Sequence, residues 1–412
     1  LCSIDQRITM HSKTKEFYDQ FVLKNYASPP IAIVRGEGTR AWDDEGREYL
    51  DFSTGVAVNA LGHCHPVWVK AVQEQVAQLG HCSNLYASPL QGDLAKRLCQ
   101  LAGPGKIFFC NSGAEATETL VKLSRLHGKK VSGQENQRFQ VVTARGSFHG
   151  RTFGGLSATG QEKTQAGFHP ILPGFSHVKF NDLVLFSEAI TENTSAVLIE
   201  PIQGEGGVHA ATVDFLCGLR ELCTNRGVLL LLDEVQCGVG RTGTFFAHEE
   251  SGIIPDGIAM AKGLGGGFPI GAVWIHEQFA ELFQPGSHGC TFGGNPMACA
   301  ASLAVLDIIK SENLLQNVRD LSVWYKRELQ ALKTRFPSLV DGVRGQGFLI
   351  GLVMKREVGP LVAELRDSGL LTVPAAGDVL RLLPPLNVST EDLQTSLQIL
   401  SSVFHNNENQ VQ

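Results

Sequence analysis

The chain has 412 residues and a net charge of −6, and 43% of its residues are hydrophobic, more than one ordinary core needs, so two lobes are expected. Its 35 basic residues are scattered among 41 acidic ones, which excludes nucleic acid or an anionic membrane as the main partner, and no apolar run is long enough to span a bilayer. The ten cysteines lie far apart with no Cys-x-x-Cys pair, several inside apolar stretches such as Phe108-Phe109-Cys110, and read as reduced, buried thiols of a cytoplasmic protein.

The opening Leu1-Cys2-Ser3-Ile4-Asp5 carries neither an apolar signal core nor an Arg-rich amphipathic pattern, so no targeting segment is expected. Residues 1–9 read as an over-extended start or a disordered tail, and 1–14 as flexible. A short amphipathic helix is predicted over 12–28, with Phe17, Phe21 and Val22 on one side, ending before Pro29-Pro30. A strand meander follows at 31–34, 41–43 and 49–52, separated by the turn signals Gly36-Glu37-Gly38 and Asp44-Glu45-Gly46.

From about residue 66, helical stretches alternate with short apolar runs at 106–110, 139–144, 196–201, 228–233 and 270–275, the pattern of a parallel, helix-covered sheet. After about residue 300 the pattern changes to long helices at 298–310 and onward to Arg335, with strands around 347–353 and 380–384. This predicts a second, α+β lobe that also takes in the N-terminal meander. The expected division is 15–60 and 306–404 for the small lobe, 61–305 for the large one, and a frayed end at 405–412.

Several predicted strands end in residues with chemistry. Asn111-Ser112-Gly113-Ala114-Glu115-Ala116 is a small-residue turn into a helix, which offers free backbone N–H groups and a positive dipole end to a phosphate, or is an ordinary N-cap. In Phe148-His149-Gly150-Arg151-Thr152, Phe148 is suited to stack on a planar ring and Arg151 to clamp a carboxylate; the alternative is a packing Phe and a surface Arg. Glu200, in Glu200-Pro201-Ile202-Gln203-Gly204-Glu205-Gly206-Gly207, needs a partner if buried. Arg381, flanked by apolar residues, is the candidate, unless it snorkels from a strand edge.

Leu229-Leu230-Leu231-Leu232-Asp233 has no exposed face and ends in charge, so it reads as a buried parallel strand that delivers Asp233 and then Gln236 to a ligand crevice. Ile258-Ala259-Met260-Ala261-Lys262 brings a lone lysine to a similar position, followed by Gly263-Leu264-Gly265-Gly266-Gly267. An acid and a lysine in one crevice fit pyridoxal phosphate, whose aldehyde needs an amine and whose ring nitrogen needs a carboxylate. Gly238-Val239-Gly240-Arg241-Thr242-Gly243 matches a dinucleotide fingerprint, but only eight residues, 244–251, precede Gly252, too few for the crossover helix such a site needs. His276-Glu277 and His63-Cys64-His65-Pro66 lack the spacing of a metal chelate, so no metal is expected.

Together these residues resemble the class III, or ω-amino-acid, pyridoxal-phosphate aminotransferases of fold type I, from about residue 15 to 400. Asp233-Glu234-Val235-Gln236, the 238–243 turn and Ala261-Lys262-Gly263-Leu264 carry the resemblance, with the 29-residue interval from acid to lysine. Asn59-Ala60-Leu61-Gly62-His63-Cys64-His65-Pro66, Ser83-Asn84-Leu85-Tyr86 and Thr291-Phe292-Gly293-Gly294-Asn295-Pro296 are most similar to members acting on N-acetylornithine in arginine biosynthesis.

The resemblance implies an α/β fold with a mostly parallel seven-stranded sheet, a smaller α+β domain from both termini, and a homodimer with shared active sites. It implies that Lys262 binds the cofactor and carries the proton, that Asp233 keeps the pyridine nitrogen protonated and that Gln236 bonds the ring hydroxyl. Gly113 and Ala114 would hold the phosphate, Thr291 would reach it from the other subunit, and Phe148 would stack on the ring. N-acetylornithine would place its carboxylate on Arg151 while Glu200 covers Arg381; 2-oxoglutarate would use both arginines after Glu200 swings away. Members acting on succinylornithine, ornithine, 4-aminobutyrate or N-succinyldiaminopimelate share every catalytic residue. A glutamate 1-semialdehyde aminomutase shares the lysine, but the Arg151 and Arg381 pair argues against it.

Overall fold

The structure, a computed structural model, describes residues 5–409. Of the expected N-terminal tail, residues 1–4 lie outside the described residues, and the rest is helical: the first helix is Asp5–Phe21, displaced toward the N-terminus from the predicted 12–28. It cannot run to residue 28, because Ser28 precedes Pro29 and a residue before proline is driven out of the α region. Phe17 and Phe21 do share a side, with ring centroids 6.2 Å apart, but both are exposed. At the other end the helix Thr390–Asn409 runs through residues 405–409, where fraying was expected, and 410–412 lie outside the described residues.

The strands in chain order are β1 (Ile33–Glu37), β2 (Arg40–Asp43), β3 (Glu48–Asp51), β4 (Gly105–Cys110), β5 (Gln140–Ala144), β6 (Phe175–Val178), β7 (Thr194–Ile199), β8 (Ile202–Gln203) and β9 (His209–Ala210). They continue with β10 (Leu229–Asp233), β11 (Gly257–Met260), β12 (Gly271–His276), β13 (Val340–Gln346), β14 (Leu349–Met354), β15 (Leu370–Leu371), β16 (Val373–Ala375) and β17 (Val379–Leu382). The large sheet has seven strands in the order β4-β12-β11-β10-β7-β5-β6, and only β12 runs antiparallel to its neighbours. That reversal follows from the short link between β11 and β12: a parallel return needs a crossover of a dozen or more residues, and the ten from Ala261 to Ile270 form a tight turn instead.

The four leucines of β10 show why this sheet is covered on both faces. Alternation sends Leu229 and Leu231 to one side, packed with Leu120 and Leu123 of the helix Gly113–Ser132, and Leu230 and Leu232 to the other, packed with Phe186 and Phe215. Each such burial contributes about 1.5–3 kcal/mol. Because β4, β5, β7, β10 and β11 all point the same way, the residues that follow them emerge along one edge of the sheet.

Two four-stranded sheets make up the rest. One is the meander β1-β2-β3 extended by β15 in parallel with β3, which joins the N-terminal and C-terminal segments; the other is β13-β14-β17-β16, antiparallel throughout. The small hairpin β8–β9 leaves the end of β7 and packs Ile202 and Val208 against Leu349 and Val379 of the C-terminal sheet. No helix among the described residues is long and apolar enough to cross a membrane.

Candidate active site

A cavity of about 440 Å³ opens at the carboxyl edge of the large sheet. After β4 the chain turns into the 20-residue helix Gly113–Ser132, whose N-cap Ser112 accepts from Glu115 N at 3.2 Å, while Asn111 N donates to Glu115 Oε2 at 2.7 Å. This local capping leaves the Gly113 and Ala114 N–H groups at the cavity wall, without acceptors one helical turn back. A β-carbon on Gly113 would lie 2.7 Å from Val235 Cγ1, so only glycine fits there. The cradle suits a phosphate group.

After β5 come Phe148, His149 and Arg151. Phe148 N donates to Glu200 Oε2 at 3.0 Å, which sets the ring at the cavity. Arg151 is exposed at the mouth, 5.5 Å from the Phe148 ring centroid, and pairs with no carboxylate among the described residues. His149 is fully buried, and its Nδ1 donates to Asp233 Oδ2 at 2.8 Å. The other Asp233 oxygen accepts from Val235 N at 3.1 Å. Asp233 is thus pinned at the end of β10 as a buried acid beside the cavity. The neighbouring Glu234 serves structure: it binds Ala247 N, His248 N and His248 Nδ1, and holds the loop after it.

Lys262 follows β11 with φ +46°, a conformation that non-glycine residues adopt at a cost and that is often kept at functional sites. It is the lysine of the cavity wall. Burial pulls its pKa below the ordinary lysine value, Arg381 adds to that, and Glu205, Asp233 and Glu200 oppose it. The amine therefore sheds its proton more readily than a free lysine, as a group that binds an aldehyde must.

One expected pairing is corrected. Arg381, on β17 and buried, donates not to Glu200 but to Glu205, with Nη1 2.7 Å from Oε1, and also to Gln236 Oε1 at 2.9 Å. Glu200 is occupied by the N–H groups of Phe148 and Gly204, while the ion pair of Arg381 is with Glu205. The hairpin β8–β9 carries Glu205 at its tip to the C-terminal sheet, a placement no local pattern revealed. An acid set among Gly204, Gly206 and Gly207 was the available signal, since a glycine-rich turn presents its one charged side chain outward. Burial pushes the Glu205 pKa up, but the charge and hydrogen bond of Arg381 outweigh it and the net shift is downward. Arg381 Nε has no partner, so the guanidinium is not saturated.

The structure thus gathers Lys262, Asp233, Gln236, Gly113, Ala114, Phe148, Arg151 and Glu200 at one cavity, with Arg381 bonded to two residues of its wall. Thr291 is not among them: it is exposed in a loop that Asn84 ties down through Cys290 O and Gly293 O. His149 is the addition, a residue quoted within its motif but given no task. The 238–243 turn is followed by no crossover helix, only the short turn Ala247–Ser251, and Arg241 is buried and donates to Phe348 O and Pro384 O. Cys237 is a buried thiol with its pKa raised well above the usual value by burial, and none of the nine described cysteines is in a disulfide.

Glu200 supplies a pH test. Burial pushes its pKa up to about 7, with the nearby Asp233 adding to the rise and His149 and the two N–H groups opposing it. The unfolded chain releases this proton near 4.5 and the folded chain near 7, so the stability it contributes is complete below pH 4.5 and lost as pH rises through about 7. The loss is on the order of 3 kcal/mol. In ligand-free protein, Glu200→Gln is expected to lose less thermal stability than the parent between pH 5 and pH 8. Equal losses in the two proteins would refute the assignment.

Comparison with known proteins agrees with this geometry. The family model for class-III aminotransferases matches residues 21–404. The chain is 44% identical to the acetylornithine aminotransferase of Caldanaerobacter subterraneus subsp. tengcongensis, covering 93% of this chain and 97% of that protein. It is 47% identical to acetylornithine aminotransferase 1 of Bradyrhizobium diazoefficiens, covering 91% and 92%. Among solved structures, the ornithine aminotransferase of Toxoplasma gondii ME49 superposes with a TM-score of 0.93 at 31% identity, covering 97% of this chain and 96% of that one. The acetylornithine aminotransferase of Elizabethkingia anophelis gives 0.87 at 33% identity, covering 96% and 100%.

Proposed function

The chain belongs to the class-III aminotransferase family, and from that premise we propose that it uses pyridoxal phosphate to move the δ-amino group of N-acetylornithine to 2-oxoglutarate, giving N-acetylglutamate 5-semialdehyde and glutamate. The observation that carries the reading is the lone, strained Lys262 in one cavity with a buried Asp233 and an N-terminal helix cradle. When bound, the cofactor supplies an aldehyde for the amine and a protonated ring that draws in electrons. Gly113 and Ala114 would hold its phosphate, Phe148 would cover its ring, Asp233 would hold the proton on the ring nitrogen, and Gln236 would bond the ring hydroxyl. Lys262 binds the aldehyde and then shuttles the proton.

The two arginines divide the substrates. With Arg381 covered by Glu205, only Arg151 is open to an anion, which suits an amine whose carboxylate lies far from it, as in N-acetylornithine. A five-carbon diacid needs both arginines, so Glu205 swings off Arg381 to admit 2-oxoglutarate. The gate expected of Glu200 passes to Glu205. The relatives named for acetylornithine, at 44% and 47% identity, support the acylated substrate over free ornithine, whose structural counterpart stands at 31%.

We further propose a homodimer in which the partner subunit's Thr291 completes the phosphate site. Exposed Leu85, Tyr86 and Phe292 lie beside the Thr291 loop, an apolar surface suited to a second copy. The test is spectroscopic: N-acetylornithine alone should abolish the absorbance band of the cofactor-loaded protein, and 2-oxoglutarate should restore it. A band that ignores N-acetylornithine but responds to ornithine would overturn the substrate.

A further inference from the structure

Glu205 sits in the five-residue loop 204–208 that closes the hairpin β8–β9, where Gln203 pairs with His209. Its side chain is 32% exposed and is held by Arg381 Nη1 at 2.7 Å and, at a longer 3.4 Å, by Gln236 Nε2; beyond these bonds, the anchorage of the loop limits how far the carboxylate can move. That anchorage is at Val208. Val208 has φ +57°, an outlier for a β-branched residue, and yet it is fully buried. Its side chain fills a socket made by two glycines of the C-terminal sheet. A β-carbon at Gly351 would lie 3.0 Å from Val208 Cβ and 3.1 Å from Cγ2, and one at Gly345 would lie 2.7 Å from Cγ1. Gly351 is the residue directly across the ladder from Arg381. One position before Gly345, Arg344 places Nη1 2.5 Å from His209 Nε2 and 3.0 Å from Nδ1, so a second contact clamps the far side of the hairpin.

We propose that Val208, seated between Gly345 and Gly351 and backed by the Arg344–His209 contact, positions Glu205 against Arg381 and so sets how often the arginine is available to a substrate α-carboxylate. The peg enters the sheet one strand from Arg381, and the two residues between, Gly206 and Gly207, then limit how far Glu205 can drift. A seated peg favours the covered arginine and ω-amine substrates; a loosened one uncovers Arg381 and favours diacids. Val208 and Arg344 are positioning residues, since neither lines the cavity. The proposal rests on the Glu205 gate of the preceding reading and goes beyond it by naming what holds the gate.

The test uses glutarate, a diacid with no reactive amine or ketone, titrated by calorimetry into the cofactor-loaded protein. Apparent affinity scales with the fraction of molecules whose binding site is open. Val208→Ala and Arg344→Met are each expected to tighten glutarate binding about three- to tenfold, and to raise the preference for glutamate over N-acetylornithine in kcat/KM by a similar factor. Glu205→Ala is the reference and should tighten binding at least as much. If Glu205→Ala tightens glutarate but both other variants stay within about twofold of the parent, the peg does not position the gate and the proposal falls alone. Should Glu205→Ala itself change nothing, the gate reading falls and takes the proposal with it. Where Val208→Ala fails to fold, Arg344→Met, at a half-buried position outside the peg's socket, decides.

Discussion

Replacing Lys262 by alanine is expected to slow the first half-reaction with N-acetylornithine by about 10⁴-fold or more, because one side chain supplies both the amine that binds the cofactor and the base that takes the proton. Its surroundings argue that these tasks have no substitute. Burial lowers the pKa of Lys262, and among the described residues no other lysine lines the cavity. The cradle of Gly113 and Ala114, the Phe148 ring and Asp233 are untouched by the change, so the variant should still retain cofactor, now without the covalent link. Stopped-flow absorbance under single-turnover conditions measures the rate, and dialysis followed by quantitation of bound cofactor measures retention. A small primary amine in solution should restore part of the proton transfer, but only part, because a freely diffusing base lacks the placement that the chain imposes on Lys262. A rate within tenfold of the parent would remove Lys262 from the chemistry altogether.

The residues proposed to deliver this chemistry were legible because the sheet writes them into sequence in a simple way. Leu229 to Leu232 leave no polar face, so the strand had to be covered on both sides, and the acid at its end had to face the crevice. The glycine of Ser112-Gly113-Ala114 and the lysine after Met260 occupy equivalent strand-end positions. What stayed hidden depends on placements set by distant parts of the chain. Glu200 and Glu205 are five residues apart, and which of them meets Arg381, 176 positions from Glu205, is decided by the hairpin that carries one of them across to the C-terminal sheet. His149 was overlooked because a histidine beside a phenylalanine and an arginine gives no sign that it will be buried against Asp233, 84 positions on. The antiparallel course of β12 was written in the shortness of its connection, which the apolar run alone did not reveal. Thr291 is exposed in the single chain and off the cavity wall, so the role proposed for it has no counterpart in the geometry of one chain.

Substituting asparagine for Asp233 is expected to lower the rate of the same half-reaction by about 10³-fold while leaving the cofactor bound. Two unit charges about 4 Å apart at an effective dielectric near 20 attract by about 4 kcal/mol; that is the scale of what a carboxylate would give a protonated ring nitrogen, and it converts to about three decades in rate. Glu200 cannot take over the task, since Phe148 N and Gly204 N hold its two oxygens, and burial keeps its pKa near 7. Asparagine keeps the shape of the side chain but not its acceptors. In the parent, one oxygen takes His149 Nδ1 and the other takes Val235 N, so the amide must turn its NH₂ toward one of these donors. Stability should fall by about 1–3 kcal/mol for that mismatch, far too little to account for the loss of rate. The two effects separate experimentally: the thermal midpoint reports the mismatch, and the single-turnover rate, measured well below that midpoint, reports the charge. With the ring nitrogen no longer held in its protonated form, the absorbance of the loaded variant should also begin to depend on pH in a range where the parent spectrum is constant. A variant with an invariant spectrum and a rate within tenfold of the parent would show that Asp233 orders His149 and the end of β10 without acting on the cofactor.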